Sequence, residues 1–333
     1  MVTISVCMIV KNEEKVLKRC LDSLKGLYEE LIIVDTGSED ATRSIALSYT
    51  DKVYDFKWIN DFSAARNFAM SKATKDYVYT PDADEILDSE NRERFKVLKE
   101  NLIPSVEIVE MWYVNQLANG TVYNYDRELR PKLYKRLREF TFIEPVHEMV
   151  RLDPVVYESD IEIIHKPESL HASRDIKIFE GVIEREHALS PRLTKMYARE
   201  LMISGTEEDL QKSKAFFEEI ASNSEDEELL RLSYIVLAKT ALETDDAVML
   251  LKYALRDAVS KGSSEICTML GEFYEGKGDL KEASVWYYNA AFETEAEVNL
   301  SYKNRLPLEG LSRIYRALGD FETAAAYEEK IKK

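Results

Sequence analysis

Apolar residues dominate Ile4-Ser5-Val6-Cys7-Met8-Ile9-Val10, and the run stops at Lys11-Asn12-Glu13-Glu14. It reads as a buried strand. Over 14–27 the apolar positions become Val16, Leu17, Leu21 and Leu24, which is helical spacing. Leu31-Ile32-Ile33-Val34 is the next apolar strand, closed by Asp35-Thr36-Gly37-Ser38-Glu39-Asp40. A helix is then expected over 41–49, a short strand over 52–56, a helix over 63–72 and a fourth strand over 77–80. That last strand ends at Pro81-Asp82-Ala83-Asp84-Glu85. Apolar strands alternating with helices predict an α/β fold on a mainly parallel, Rossmann-like sheet, in which ligands gather outside the carboxyl ends of the strands. Asn12 and Glu13 follow the first strand, Asp35 the second, and Asp82 and Asp84 the fourth. Three clusters far apart in sequence are therefore predicted to meet at one crevice.

From about 106 the pattern turns strand-rich, with aromatic and β-branched residues over 106–114, Leu133-Tyr134 after a basic turn, and Ile161-Glu162-Ile163-Ile164-His165. These strands are expected to extend the sheet and build the acceptor side. After about 173 helical signals take over. The expected division is residues 1–172 as an α/β domain and 173–333 as an all-α repeat domain. The motif Leu270-Gly271-x-x-Tyr274-x-x-x-Gly278-Asp279-x-x-x-Ala283-x-x-Trp286 recurs as Leu311-Ser312-x-x-Tyr315-x-x-x-Gly319-Asp320-x-x-x-Ala324-x-x-Tyr327, 41 residues on. It resembles the tetratricopeptide repeat, whose usual period is about 34 residues, so a lengthened helix or linker is expected. Helices over 213–221 and 229–242 read as degenerate members of the same stack.

Length supports this division, because 333 residues exceed what one core usually sustains. Charge narrows the partners. A formal net charge of −17 repels nucleic acid and anionic lipid, whereas a nucleotide diphosphate still binds where a metal ion and a few local cations meet it. Three cysteines, Cys7, Cys20 and Cys267, lack the spacing of a disulfide framework or zinc cage, so reduced thiols are expected. No basic leader precedes the first strand, and no stretch reaches the ~18 apolar residues of a membrane span. A cytoplasmic location is expected, with peripheral attachment through a partner left open.

Ser5-Val6-Cys7-Met8-Ile9-Val10-Lys11-Asn12-Glu13-Glu14, Ile33-Val34-Asp35-Thr36-Gly37-Ser38-x-Asp40-x-Thr42 and Asp82-Ala83-Asp84-Glu85 stand in this order at strand ends. Together they resemble the family 2 glycosyltransferases of GT-A fold over residues 3–170. With the appended repeats, the chain is similar to bacterial peptide and protein S- or O-glycosyltransferases of the glycopeptide-bacteriocin type. The resemblance implies that Val10, Asn12, Glu13, Asp35, Thr36, Gly37 and Ser38 surround the nucleoside, with Glu13 near the base or ribose. It implies that Asp82, Ala83 and Asp84 meet the donor diphosphate and a Mg²⁺ or Mn²⁺ ion. Arg66 and Asn67, in Asp61-Phe62-Ser63-Ala64-Ala65-Arg66-Asn67, match a position that faces the nucleotide. Glu148, in Pro145-Val146-His147-Glu148, matches a His-Glu pair placed to serve as base, and His147 to orient the acceptor or the metal.

Physical chemistry bears on these roles separately. A carboxylate at the end of a buried strand, such as Asp35, accepts the uracil ring N–H by a charge-assisted hydrogen bond. Asp82 and Asp84, one residue apart on an extended segment, point the same way and share a hard cation. His165, ending a strand, supplies a third metal ligand. An inverting transfer needs a base opposite the leaving group, the role assigned to Glu148. Competing readings stand beside each: Asp35 and Ser38 as helix caps, the Asp-x-Asp as a solvated turn, Arg66 in a helix-surface ion pair, and each histidine as structural.

The function so implied is metal-dependent, inverting transfer of a sugar from a nucleotide donor, UDP-linked, to a peptide or protein. The helical repeats would provide an acceptor groove or a homodimer contact. The same architecture serves lipopolysaccharide-core and surface-glycan synthesis. Two other classes stand as rivals: a nucleotidyltransferase, disfavoured because the first loop is not Gly-rich and basic, and a scaffold with a relic front domain, disfavoured by the retained Asp35, Asp82 and Asp84.

Overall fold

The computed structural model describes residues 1–115, 127–138, 140–147, 149–150, 154–166 and 172–331. Contacts divide the chain into two compact units, Met1–Leu170 and His171–Lys333.

The first unit carries strands β1 (Ile4–Val10), β2 (Glu30–Asp35), β3 (Val53–Asp55), β4 (Tyr77–Tyr79), β5 (Glu85–Ile86), β6 (Ile108–Asn115), β7 (Arg127–Lys135), β8 (Phe142–Ile143), β9 (Met149–Val150) and β10 (Val156–His165). Its helices are α1 (Leu17–Leu24), α2 (Thr42–Leu47), α3 (Phe62–Met70) and α4 (Ser89–Asn101). Eight of these strands form one sheet in the order β3-β2-β1-β4-β7-β6-β10-β5, and β8 pairs with β9 alone. The strands β3, β2, β1 and β4 are parallel, β7 is antiparallel to both neighbours, β10 is parallel to β6, and β5 is antiparallel to β10. The carboxyl ends of β1, β2, β3, β4, β6 and β10 consequently share one edge with the start of β7.

Both β1 and β2 are buried along nearly their whole length, as central parallel strands must be. One face of the sheet packs on α1 through Leu17, Cys20, Leu21 and Leu24, and on Phe95 of α4. The other face, with Cys7, Ile32, Val34 and Val78, packs on Ala69 and Phe68 of α3. Each fully buried Leu or Phe contributes roughly 1.5–3 kcal/mol. The helix expected over 14–27 is shorter: residues 14–16 form a turn ahead of it, and after Leu24 the chain leaves helical geometry at Lys25 (ψ 128°) and Gly26 (φ +80°). Helix α4 has no counterpart in the apolar pattern: Ser-Glu-Asn-Arg-Glu-Arg-Phe-Lys-Val-Leu-Lys-Glu-Asn is mostly charged, and the Asp88 side chain caps it by accepting from Asn91 N–H.

Register shifts at Val109/Glu110 in β6 and at Glu158/Glu162 in β10 bend the sheet. The bend is large, because Lys132 on β7 reaches Glu85 on β5 although β6 and β10 lie between them. In a flat sheet those strands would be about 14 Å apart.

The second unit is helical: α5 (Ala172–Glu186), α6 (Pro191–Ser204), α7 (Glu207–Asn223), α8 (Glu227–Glu243), α9 (Ala247–Ser260), α10 (Ser264–Gly276), α11 (Leu280–Tyr288), α12 (Ser301–Asn304), α13 (Leu306–Ala317) and α14 (Phe321–Ile331). The two motif copies are the hairpins α10/α11 and α13/α14, turning at Gly278 (φ +81°) and Gly319 (φ +82°). The longer period arises from a π-helical turn, Asn289–Glu293, and the short α12 between the copies. The degenerate members correspond to α7 and α8.

Candidate active site

The loops after β1 and β2 are laced together. Asn12 N–H donates to Ser38 Oγ (3.0 Å) and Glu39 N–H to Asn12 Oδ1 (2.8 Å). Glu13 N–H donates to Thr42 Oγ1 (2.6 Å), Glu14 N–H to Asp40 Oδ2 (3.2 Å) and Ala41 N–H to Glu14 Oε2 (3.0 Å). Val10 and Asp35 are register partners, and Val10 O accepts from both the backbone N–H (3.0 Å) and the hydroxyl (3.2 Å) of Thr36. Gly37, at φ +103°, allows the chain to turn so that its N–H and that of Ser38 both donate to Asp35 Oδ1 (3.0 and 2.8 Å). The other oxygen of this buried carboxylate, Oδ2, faces Arg43 at 3.9 Å, and Arg43 also pairs with Asp55. Val10, Asn12, Asp35, Thr36, Gly37 and Ser38 thus form one hydrogen-bonded corner, to which Glu13 contributes its backbone.

The acidic turn after β4 differs from expectation. Residues 83–84 form a turn, not an extended segment, so Asp82 and Asp84 do not share one partner. Asp82 Oδ1 accepts from Arg66 (2.8 Å) and its Oδ2 lies 3.5 Å from Lys132 Nζ. Asp84 Oδ2 lies 2.9 Å from His165 Nε2, and Asp84 O accepts from Lys166 N–H (3.0 Å). Ala83 between them is buried. An oxygen and a nitrogen donor at this spacing suit Mg²⁺ or Mn²⁺. Among the described residues no group of three His, Cys, Asp or Glu side chains stands ready for a metal ion, so a diphosphate and water would have to complete its shell.

Arg66 and Asn67 are adjacent on α3 and diverge. Arg66 goes to the acidic turn, neither to open solvent nor to a helix-surface pair. Asn67 is committed to the hairpin: its Nδ2 donates to Phe142 O (2.9 Å) and its Oδ1 accepts from Phe142 N–H (2.8 Å). Pro145 O accepts from Phe62 N–H (2.8 Å), so α3 anchors the β8/β9 hairpin that carries His147, a residue held at φ 49°. Glu148 lies outside the described residues.

Two residues that apolar and motif patterns did not single out complete the site. Lys132 is 5% exposed and Glu85 2% exposed, their Nζ and Oε1 2.5 Å apart. The only sequence trace was that Glu85 follows the Asp-x-Asp and Lys132 lies in the basic run before Leu133. Burial works against the charge of Asp82, but Lys132 and Arg66 outweigh it and hold its carboxyl well below the usual carboxylate range. Burial pushes the Glu85 carboxyl up to about 7, with Lys132 opposing and Asp82 reinforcing the rise.

Residues 5–141 match the family model described as Glycosyl transferase family 2. The chain is 36% identical to a TPR repeat-containing protein of Synechococcus elongatus over 152 residues, 45% of this chain and 36% of that protein. It is 35% identical to the SPbeta prophage-derived glycosyltransferase SunS of Bacillus subtilis over 130 residues, 38% of this chain and 31% of that one. It is 33% identical to the lipopolysaccharide core biosynthesis glycosyltransferase LpsC of Rhizobium meliloti over 129 residues, 38% of this chain and 46% of that one. The matched stretches span less than half the length of each relative.

Proposed function

We propose that this chain, whose residues 5–141 form a family 2 glycosyltransferase domain, transfers a sugar with inversion from a UDP-linked donor to a peptide or protein. The observation that carries the reading is the pairing of Asp84 with His165 at the carboxyl edge of the sheet, beside an Asp82 flanked by two cations.

Asp35 accepts the N–H of the base through the oxygen not used by the turn, and the laced loops around Asn12 and Ser38 hold the nucleoside without rearrangement. Asp84 and His165 would hold Mg²⁺ or Mn²⁺, which would supply Lewis-acid charge for the departing nucleotide diphosphate. Arg66 and Lys132 keep Asp82 ionised. The acceptor hydroxyl or thiol attacks the anomeric carbon as the bond to the diphosphate oxygen breaks, and its proton passes to Glu148, with His147 orienting the acceptor. The helical unit presents the acceptor segment or a second copy of the chain. Three buried free thiols and the lack, among the described residues, of a helix able to cross a membrane fit a cytoplasmic enzyme.

Similarity to LpsC favours a second reading, a glycan acceptor of the lipopolysaccharide core. Both are tested by incubating the protein with Mn²⁺ and a panel of UDP- and GDP-sugars, then adding peptide or core-oligosaccharide acceptors and following nucleotide diphosphate release. A UDP-sugar should be consumed only with metal present. Donor consumption unchanged by EDTA would overturn the site.

A further inference from the structure

Once a metal ion binds, no hydrogen bond is left to orient the His165 ring. Its Nε2 lies 2.9 Å from Asp84 Oδ2, a contact both groups would give up to hold the ion, and its Nδ1 is buried without a hydrogen-bond partner. Metal-ligating histidines usually take their orientation from a partner on the second nitrogen. Here the ring is met on its side by another ring instead: the Tyr113 centroid lies 5.0 Å from that of His165, with the planes inclined at 34°.

Sheet register produces this contact. Tyr113 pairs with Ile163 on β10 and with Glu128 on β7. His165 and Arg130 each stand two residues further along their strands, so Arg130, Tyr113 and His165 form a diagonal row across three neighbouring strands on one face, within reach of aromatic and long side chains. Tyr113 is buried, and the Arg130 guanidinium lies 3.7 Å from its ring centroid. Glu128 holds that guanidinium in an ion pair, and Lys132 Nζ lies 5.7 Å from the same ring. Two cations reaching in from β7 therefore brace the ring against which the imidazole on β10 rests.

We infer that Tyr113 is a positioning residue: its ring, braced by Arg130, holds the His165 imidazole in the orientation that lets Nε2 reach a metal beside Asp84, in place of a hydrogen bond to Nδ1. This rests on the donor reading above. The role belongs to the tyrosine ring and not to its hydroxyl, and it requires no change in the charge of any neighbouring group.

The experiment uses the full chain with Mn²⁺ as probe and saturating UDP, counting free Mn²⁺ by electron paramagnetic resonance. Tyr113→Leu should bind Mn²⁺ about tenfold more weakly than the parent protein, and Tyr113→Phe within about twofold of it. Both substitutions are neutral, so the difference between them reads the ring and not the field at the site. A second measurement needs neither metal nor a Tyr113 variant, and so holds even if Tyr113→Leu fails to fold by circular dichroism. In protein labelled with ¹³C at histidine Cε1, the His165 signal, one of four, is assigned through His165→Gln and its relaxation followed. Asp84→Ala removes the hydrogen bond at Nε2, and the imidazole should stay as ordered as in the parent. Parent-like Mn²⁺ affinity in Tyr113→Leu, a loss in Tyr113→Phe as large as in Tyr113→Leu, or a His165 ring set free in Asp84→Ala overturns this inference alone. A parent that binds no Mn²⁺ even with UDP overturns the donor reading on which it rests.

Discussion

His165 Nε2 lies 2.9 Å from Asp84 Oδ2, across 81 residues of sequence. The pair exists because β5, which leaves the acidic turn, adds antiparallel to β10 with Glu85 opposite His165, and Lys166 N–H ties the Asp84 carbonyl to the same strand end. The imidazole Nδ1 is buried without a hydrogen-bond partner, so Nε2 is the nitrogen oriented by a carboxylate. Without a metal Nε2 is suited to donate to Asp84, and on the proposed reading Asp84 and His165 would both give up this contact to hold the ion.

His165→Ala should weaken Mn²⁺ binding in the presence of UDP by about 10–100-fold. Asp84→Asn should lower sugar transfer by about 10²–10³-fold. Isothermal titration of Mn²⁺ into each UDP-saturated variant reads the metal affinity, and initial rates read the loss of transfer. Unchanged Mn²⁺ affinity in both variants would separate this pair from the metal.

Asn67→Ala removes both hydrogen bonds to Phe142 and leaves that backbone pair unmet, costing about 1–3 kcal/mol at the hairpin. Because the hairpin carries His147 and the corner with Asp35 is untouched, kcat should fall while UDP affinity stays within about twofold. Loss of UDP affinity instead would mean that Asn67 faces the nucleotide after all.

Glu30 sits at the opposite edge of the sheet, buried, accepting from Ser5 Oγ, Lys52 Nζ (2.6 Å), Thr74 N–H (2.8 Å) and Thr74 Oγ1 (3.0 Å). Burial opposes its charge, but the Lys52, Ser5 and Thr74 hydrogen bonds more than offset that and lower its carboxyl from 4.5 to about 2. A depressed folded-state value stabilises the fold above 4.5, and that stability drains away as pH falls toward 2. Urea midpoints for the parent and Glu30→Gln should differ most at pH 6, and the gap should shrink to less than about half by pH 3 and go on closing toward pH 2. A gap that stays constant over this range would assign the effect to packing.

The Tyr287 ring is held between two glycines. A Cβ at Gly271 would lie 2.6 Å from Tyr287 Cδ1, and one at Gly310 2.5 Å from Cε2. Gly310→Ala and Gly271→Ala should each destabilise the helical unit by about 1–3 kcal/mol, seen as a lower melting temperature by circular dichroism at 222 nm. Tyr287→Leu should relieve the Gly310→Ala penalty. If it does not, the close approach is not what the glycine permits.

Much of this architecture could be read from local pattern. The apolar runs at Ile4–Val10 and 31–34 mark the central strands because a strand buried on both faces tolerates few polar side chains. Gly278 and Gly319 mark the repeat turns because only a residue without Cβ takes φ near +80° at no cost. The order of strand ends likewise predicted that Asn12, Asp35 and Asp82 would gather on one edge. Helix α4 escaped because a charged helix held by one cap and a few apolar contacts leaves little periodicity to detect.

What the chain determined by itself was the alternation of elements and which polar residues fall at their ends, since both follow from side-chain size, charge and backbone preference over a few neighbours. Only the folded sheet decided that Asp82 turns to Arg66 and Lys132 while Asp84 turns to His165, and that Asn67 grips a hairpin 75 residues away. Those choices come from strand order and the bend at two bulges, which bring β5, β7 and β10 together, and no local rule of spacing encodes a contact made by curvature.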